Sequence, residues 1–150
     1  TVTMNSFVAD DRKTAVYEVG EQLKGVLTCY SDVDKIAAQL RVIIKTADEV
    51  PVMMLTTRKG FDLQKGEKNE LSIALGTAQL APGDYTCSFV IYEVNALGGT
   101  VNLDGLKDVY CFKVAAKPGF NNNMPWLNRY WGSVYGNEIE IGQRSAAENG

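Results

Sequence analysis

The feature that most restricts how this chain can fold is a period of two. From Ile36, the residues Ile36, Ala38, Leu40, Val42 and Ile44 alternate with Ala37, Gln39, Arg41, Ile43 and Lys45. Leu71, Ile73 and Leu75 repeat the pattern, as do Tyr110, Phe112 and Val114. Tyr85, Cys87, Phe89 and Ile91 alternate with Thr86, Ser88, Val90 and Tyr92, and Ile139 and Ile141 alternate with Glu138 and Glu140. Successive side chains of an extended backbone point to opposite faces, so each run buries one face and wets the other. Further strands are expected at 3–9, 22–31 and 51–57, and the β-branched flank of Asp32 to Leu40 favours strand over helix. Turn signals separate the runs at Gly20-Glu21, Asp48-Glu49, Lys65-Gly66, Pro82-Gly83-Asp84, Gly98-Gly99 and Asp104-Gly105. Short strands at this spacing predict an all-β antiparallel sandwich or barrel. A chain of 150 residues forms one domain and buries enough surface to fold without disulfides or metal.

The chemistry available to such a domain is limited. There is no His, so an imidazole base for a Ser or Cys nucleophile is missing, as is the usual ligand of enzymic zinc. Fifteen Lys+Arg against 18 Asp+Glu leave a net charge of -3, which argues against a nucleic-acid partner. Neither a GxxxxGK[ST] nor a GxGxxG phosphate loop occurs. The carboxylates Asp10-Asp11 and Asp32/Asp34 stand at turns, where solvation is their ordinary state, and DVDK at 32–35 falls short of a calcium loop. The expectation is a non-enzyme with no catalytic residues, no cofactor and no metal. No apolar run reaches the ~18 residues of a membrane span. The opening TVTMNSF, without an initiator Met, reads as an excised piece of a longer protein.

The aromatic residues are more informative. Tyr85, Phe89, Tyr110 and Phe112 fall on inward rows and are expected in the core. Tyr85 follows Pro82-Gly83-Asp84, which fits a tyrosine corner with its hydroxyl bonded back to the chain. Composition shifts at Lys117: KPGFNNNMPWLNRYWGSVYGNEIEI holds both Trp residues, and Trp126, Tyr130, Trp131 and Tyr135 crowd beside Asn128 and Arg129. Tyr92 ends an outward row. Flat aromatic faces beside amide and guanidinium donors suit sugar rings, and the same residues suit a protein interface; the residues alone leave both open. The chain divides into a sandwich core at 1–115, a crossover with a terminal aromatic strand at 116–141, and a small polar tail at 142–150 that is expected to be flexible.

The three Cys are Cys29, Cys87 and Cys111, with no CxxC pair. The run YTC at 85–87 resembles the F-strand signature of immunoglobulin domains, and that resemblance implies a bridge from Cys87 to Cys29. Leu40 stands where those domains carry their strand-C Trp. The alternative is three reduced thiols acting as small core hydrophobes.

Longer stretches point to one family. ALGTAQLAPGDYTCSFVIYEVN (74–95) is similar to a pattern of the type LPxLxPGxYxLxVxLxD. IIKTADEVPVMMLTTRKGFDL (43–63) resembles the strand pair that precedes it, with Thr56-Thr57-Arg58 in place of the family's TNT. LKDVYCFKV (106–114) resembles the closing strand and WLNRYWGSV (126–134) the terminal aromatic strand. In order and spacing these resemble the C-terminal domain of the Wzt-type nucleotide-binding subunit of O-antigen polysaccharide ABC transporters.

The resemblance implies an immunoglobulin-like β-sandwich acting as a carbohydrate-binding module for the non-reducing end of an O-polysaccharide glycan. It implies a homodimer that exchanges the strand at about 124–141 between protomers. It also implies a parent protein with an N-terminal ATPase domain and a membrane subunit, at the cytoplasmic, inner face of the inner membrane, where thiols stay reduced. The expected ligand surface combines the outward sheet residues Gln39, Arg41, Ser88 and Tyr92 with Trp126, Asn128, Arg129, Tyr130, Trp131 and Tyr135 of the terminal segment. The competing expectation is a structural immunoglobulin-like domain that uses the aromatic segment as a protein interface; a small hydrolase ranks third.

Overall fold

The alternating runs pair into two stacked sheets. The computed structural model describes residues 1–10, 14–136 and 139–143. Its strands are β1 (Val2–Ala9), β2 (Val16–Glu18), β3 (Leu23–Ser31), β4 (Lys35–Thr46), β5 (Pro51–Thr56), β6 (Phe61–Leu63), β7 (Lys68–Leu75), β8 (Gly83–Val94) and β9 (Thr100–Ala115). One sheet has the order β1-β3-β7 and the other β2-β9-β8-β4-β5, with β6 attached to β4. The ladders are antiparallel except for the short parallel pairing of β2 on β9. This is the expected all-β sandwich. Asp11, Glu138 and the tail from 144 onward lie outside the described residues. Among the described residues no helix is long and apolar enough to cross a membrane.

The core lies between the sheets and follows the alternation. Leu23, Leu27 and Cys29 face it from β3, Leu40, Val42 and Ile44 from β4, and Tyr85, Cys87, Phe89 and Ile91 from β8. Phe7 of β1 stacks on Phe89 of β8 with centroids 4.8 Å apart and meets Tyr110 of β9 edge-on at 5.5 Å, joining the two sheets through aromatic contacts. Tyr110 and Phe112 extend this aromatic column to Tyr85 and Tyr17. The tyrosine corner is present: the Tyr85 hydroxyl donates to the Ala81 carbonyl at 2.6 Å, and burial pushes its pKa up.

All three cysteines are free, so the bridge implied by the immunoglobulin signature is not formed. Cys29 and Cys87 are buried and serve as core hydrophobes, whereas Cys111 is exposed on the outward side of β9, so the reading of reduced core thiols holds for two of the three. Desolvation raises the pKa of Cys29 and pushes that of Cys87 up to about 12, with the neighbouring Cys111 adding to the latter. Both thiols therefore stay neutral and inert.

Three local expectations change. Ile36 is 83% exposed instead of inward. Ala37 takes φ 58, and the β4–β6 register skips between Lys35 and Ala38, so the alternation slips at the start of β4. The strand itself begins at Lys35, and Asp32 to Asp34 form a bend in which the Asp34 carboxylate accepts the Lys65 N–H at 2.8 Å. Asp104-Gly105 is not a turn but part of β9, opposite Ile91 and Val90. The Asp104 carboxylate accepts the Met4 N–H at 2.6 Å, tying β1 to β9. A Cβ on Gly105 would stand 3.2 Å from the Phe89 carbonyl, so close strand approach explains the glycine.

Candidate functional site

The outward face of the larger sheet gathers part of the expected ligand surface. Its register sets Gln39 opposite Tyr92 and Arg41 opposite Val90, while Arg41 faces Thr56 of β5. The Arg41 guanidinium lies 4.6 Å from the centroid of the Tyr92 ring, a cation–π contact on a half-buried sheet face. The Tyr92 hydroxyl and the Thr56 hydroxyl are 2.8 Å apart. The Thr57 hydroxyl donates to the Gln39 side-chain oxygen at 2.6 Å and accepts the Leu40 N–H at 3.1 Å. Thr56 and Thr57 therefore fix the rotamers of Tyr92 and Gln39, a positioning role that the sequence signals only by their place at the end of β5. Beside them an open cleft of about 410 Å³ separates β5 from β7, with Leu40, Val42, Leu55 and Leu75 among its walls and Arg58 at its rim.

Ser88 leaves the candidate surface. It is only 9% exposed, because β9 bulges over it: the register jumps from Cys87↔Tyr110 to Phe89↔Leu106. Asp108, at φ 47, forms the crest of the bulge. The Ser88 hydroxyl accepts the Asp108 N–H at 2.8 Å and donates to its carboxylate at 3.2 Å. Partial desolvation opposes the Asp108 charge, yet Ser88, the Lys45 ammonium at 3.9 Å and Thr86 hold its pKa below the usual carboxylate value. Ser88 thus stabilises a backbone irregularity instead of facing a ligand.

The terminal residues sit elsewhere. The expected aromatic strand over 126–134 is, in the single chain, one helical turn, α1 (Asn128–Trp131), preceded by a turn at Phe120–Asn123. The Leu127 backbone opens the helical turn, and Pro125 and Gly132 confine it. The segment folds back on the loop before β8: Val134 bridges Leu80, Ala81 N–H donates to the Ser133 carbonyl at 2.9 Å, and the Tyr135 hydroxyl donates to the Ala78 carbonyl at 3.1 Å. The Asn128 amide donates to the Pro82 carbonyl at 2.9 Å, so this side chain anchors the segment. Arg129 lies 5.7 Å from the Tyr130 ring centroid and borders an open cleft of about 620 Å³ with Thr46, Asp48 and Asp84. Tyr130 is 73% and Trp131 45% exposed. Trp126 packs edge-on to Trp131 at 5.5 Å and against Phe120 at 5.9 Å.

The two halves of the expected surface are therefore apart. The terminal segment meets β8 at Gly83 and Tyr85, whereas Tyr92 lies seven residues further along the same strand, roughly 23 Å away at the usual rise per residue. Among the described residues no group of three or more His, Cys, Asp or Glu converges as metal ligands.

No protein-family model and no curated protein matches the sequence. Solved structures do match. The alkylpurine DNA glycosylase AlkC of Pseudomonas fluorescens, bound to DNA containing an abasic site analog, is 15% identical, with 75% of this chain and 30% of that chain covered at a TM-score of 0.47. The CARDB domain of a Pyrococcus furiosus protein in complex with di-metal ions is 15% identical, with 78% and 88% covered at 0.42. The C-terminal domain of Wzt is 16% identical, with 95% of this chain and 84% of that chain covered at a TM-score of 0.72. The chain has the β-sandwich fold of the C-terminal domain of Wzt.

Proposed function

We propose that this chain is a non-catalytic carbohydrate-binding module that recognises an O-polysaccharide, at its non-reducing end, for export by an ABC transporter. The observation that carries the reading is the Arg41–Tyr92 pair on the outward face of the larger sheet, held in place by Thr56 and backed by Gln39. A rigid aromatic ring, a planar guanidinium and fixed amide and hydroxyl groups supply what a neutral, hydroxyl-rich ring needs: a flat apolar face and directional hydrogen bonds around its edge. The shared fold with the Wzt C-terminal domain supports the same reading. In this proposal the module belongs to a longer protein with an N-terminal ATPase domain, docked on a membrane subunit at the cytoplasmic face of the inner membrane.

Tyr92→Ala is expected to lower affinity for the O-polysaccharide of the source strain by about 30-fold, as removal of a central aromatic contact does. Calorimetry on the variant and NMR titration of the parent chain read this out. Unchanged affinity, or a titration that leaves the Tyr92 and Arg41 signals in place, would remove the ligand from this face.

The proposal includes a homodimer in which the terminal segment, about 124–141, is exchanged. Its support is the segment's unpartnered apolar surface: Tyr130, Ile139 and Ile141 are 73%, 88% and 80% exposed in the single chain. Light scattering is expected to give twice the monomer mass for the intact chain and a monomer or an insoluble product for a chain ending at Ala116. A soluble dimer of the shortened chain refutes the exchange. A dimer that binds no glycan would favour the alternative, an immunoglobulin-like interaction domain whose aromatic segment is a protein interface.

A further inference from the structure

The terminal segment builds a cleft of its own. Phe120, Trp126 and Tyr135 are half-buried and line an open cleft of about 500 Å³, with Asn121, Asn122 and Lys117 around it. This volume and this mixture of aromatic wall and sparse polar groups are those of a small-ligand site. The rings are pinned. Phe120 meets Tyr135 edge-on at 5.2 Å and Trp126 at 5.9 Å. The Trp126 indole N–H donates to the Gly132 carbonyl at 2.8 Å, so what Trp126 offers a ligand is its ring and not its donor.

The loop beside these rings is held in an expensive backbone. Asn121, Asn122 and Asn123 have φ of 52, 53 and 61, three successive left-handed residues after Gly119 at φ 84. Glycine occupies such positions at lower cost, and asparagine is the side chain that tolerates them best. Two of the three amides have structural work: the Asn123 side-chain oxygen accepts the Gly119 N–H at 2.9 Å, and the Asn121 amide donates to the Met124 carbonyl at 3.3 Å. Asn122 is exposed on the cleft and, among the described residues, its amide has no such bond. An amide that both donates and accepts, held beside fixed rings, matches the alternating hydroxyls and the C–H face of a pyranose.

We propose that the cleft formed by Phe120, Trp126, Tyr135 and Asn122 is a second saccharide-binding subsite, separate from the Arg41–Tyr92 face. It rests on the carbohydrate-binding reading and adds a place where one neutral sugar ring stacks against the terminal segment, with Asn122 hydrogen-bonded to its hydroxyls. Apart from Lys117, the lining of the cleft is uncharged, so stacking and amide hydrogen bonding are what most of it offers a ligand.

The test is an NMR titration of the intact chain with methyl glycosides of glucose, galactose, mannose, rhamnose and N-acetylglucosamine at millimolar concentration, and separately with a proline-rich decapeptide. At least one glycoside is expected to shift the Trp126 indole and Asn122 amide signals. Asn122→Gly, which suits the left-handed backbone, is expected to keep the spectrum of the fold and weaken that binding about five-fold. Shifts confined to Arg41 and Tyr92 overturn the second subsite and leave the sheet-face reading standing. Shifts nowhere with any glycoside overturn the second subsite, while the sheet-face reading stands or falls on the O-polysaccharide titration of Tyr92 and Arg41. Cleft shifts with the peptide alone, or binding unaltered in Asn122→Gly, overturn the saccharide assignment.

Discussion

Phe89→Ala is expected to destabilise the fold by about 4 kcal/mol. Phe89 is fully buried, with 0% exposure, at the middle of β8. Its ring stacks on Phe7 at 4.8 Å, and Phe7 belongs to the opposite sheet. Truncation removes the transfer free energy of a phenyl group and leaves a cavity between two sheets whose hydrogen-bonded backbones collapse only in part. Urea denaturation reads this as a lower midpoint at unchanged slope. A loss below about 1 kcal/mol would mean that the sheets close over the gap and that this stack does not set their spacing.

Gly25→Ala acts on the same place from the other side, with an expected cost of about 3 kcal/mol. A methyl group on Gly25 would stand 2.5 Å from the tip of the Phe7 ring and 2.6 Å from the Val8 carbonyl oxygen. The ring can move only by leaving Phe89, and the carbonyl belongs to the β1–β3 ladder, where Ala9 faces Gly25. The two substitutions share Phe7, so they are not independent. In the double variant Phe7 can swing into the space that Phe89 vacated, and the combined loss should fall short of the sum by about 1 kcal/mol. Strict additivity in the denaturation cycle would show that Phe7 is not the element that couples them. Both variants leave the Tyr92 face and the Trp126 cleft chemically intact, which separates loss of fold from loss of binding.

Much of the sandwich was legible because alternation is local. The inward rows of β3, β4 and β8 are those their hydrophobic residues announce, and the run before Tyr85 announces the hydroxyl bond to Ala81. The slip at Ile36 was not legible, since it depends on β6 pairing with β4 from about 25 residues downstream. Nor was the strand through Asp104-Gly105: a turn dipeptide by composition becomes strand because Met4 supplies a donor and Phe89 a close neighbour. The candidate site divides in the same way. Tyr92 and Arg41 sit on one face by period, and the β4–β8 register brings their side chains into contact. Thr56 and Thr57 join them only through the β4–β5 register. Ser88 has the right phase for the surface, and the bulge at Asp108 covers it. The three-asparagine run was visible as composition, but its left-handed backbone, and the exposure on the cleft of its middle member, were not.

By itself the sequence determined the class of the fold: a His-free, mildly acidic chain whose alternating runs form an all-β sandwich. Strand period, turn residues and the inventory of side chains are properties of the chain taken a few residues at a time, so they need no partner to be read. Tertiary structure alone decided that the aromatic terminal segment closes on the loop before β8 as a helical turn with its own cleft, at the far end of the strand from Tyr92. Which surfaces meet depends on contacts between residues distant in sequence, such as Ser133 with Ala81 and Asn128 with Pro82, and a local pattern carries no record of them.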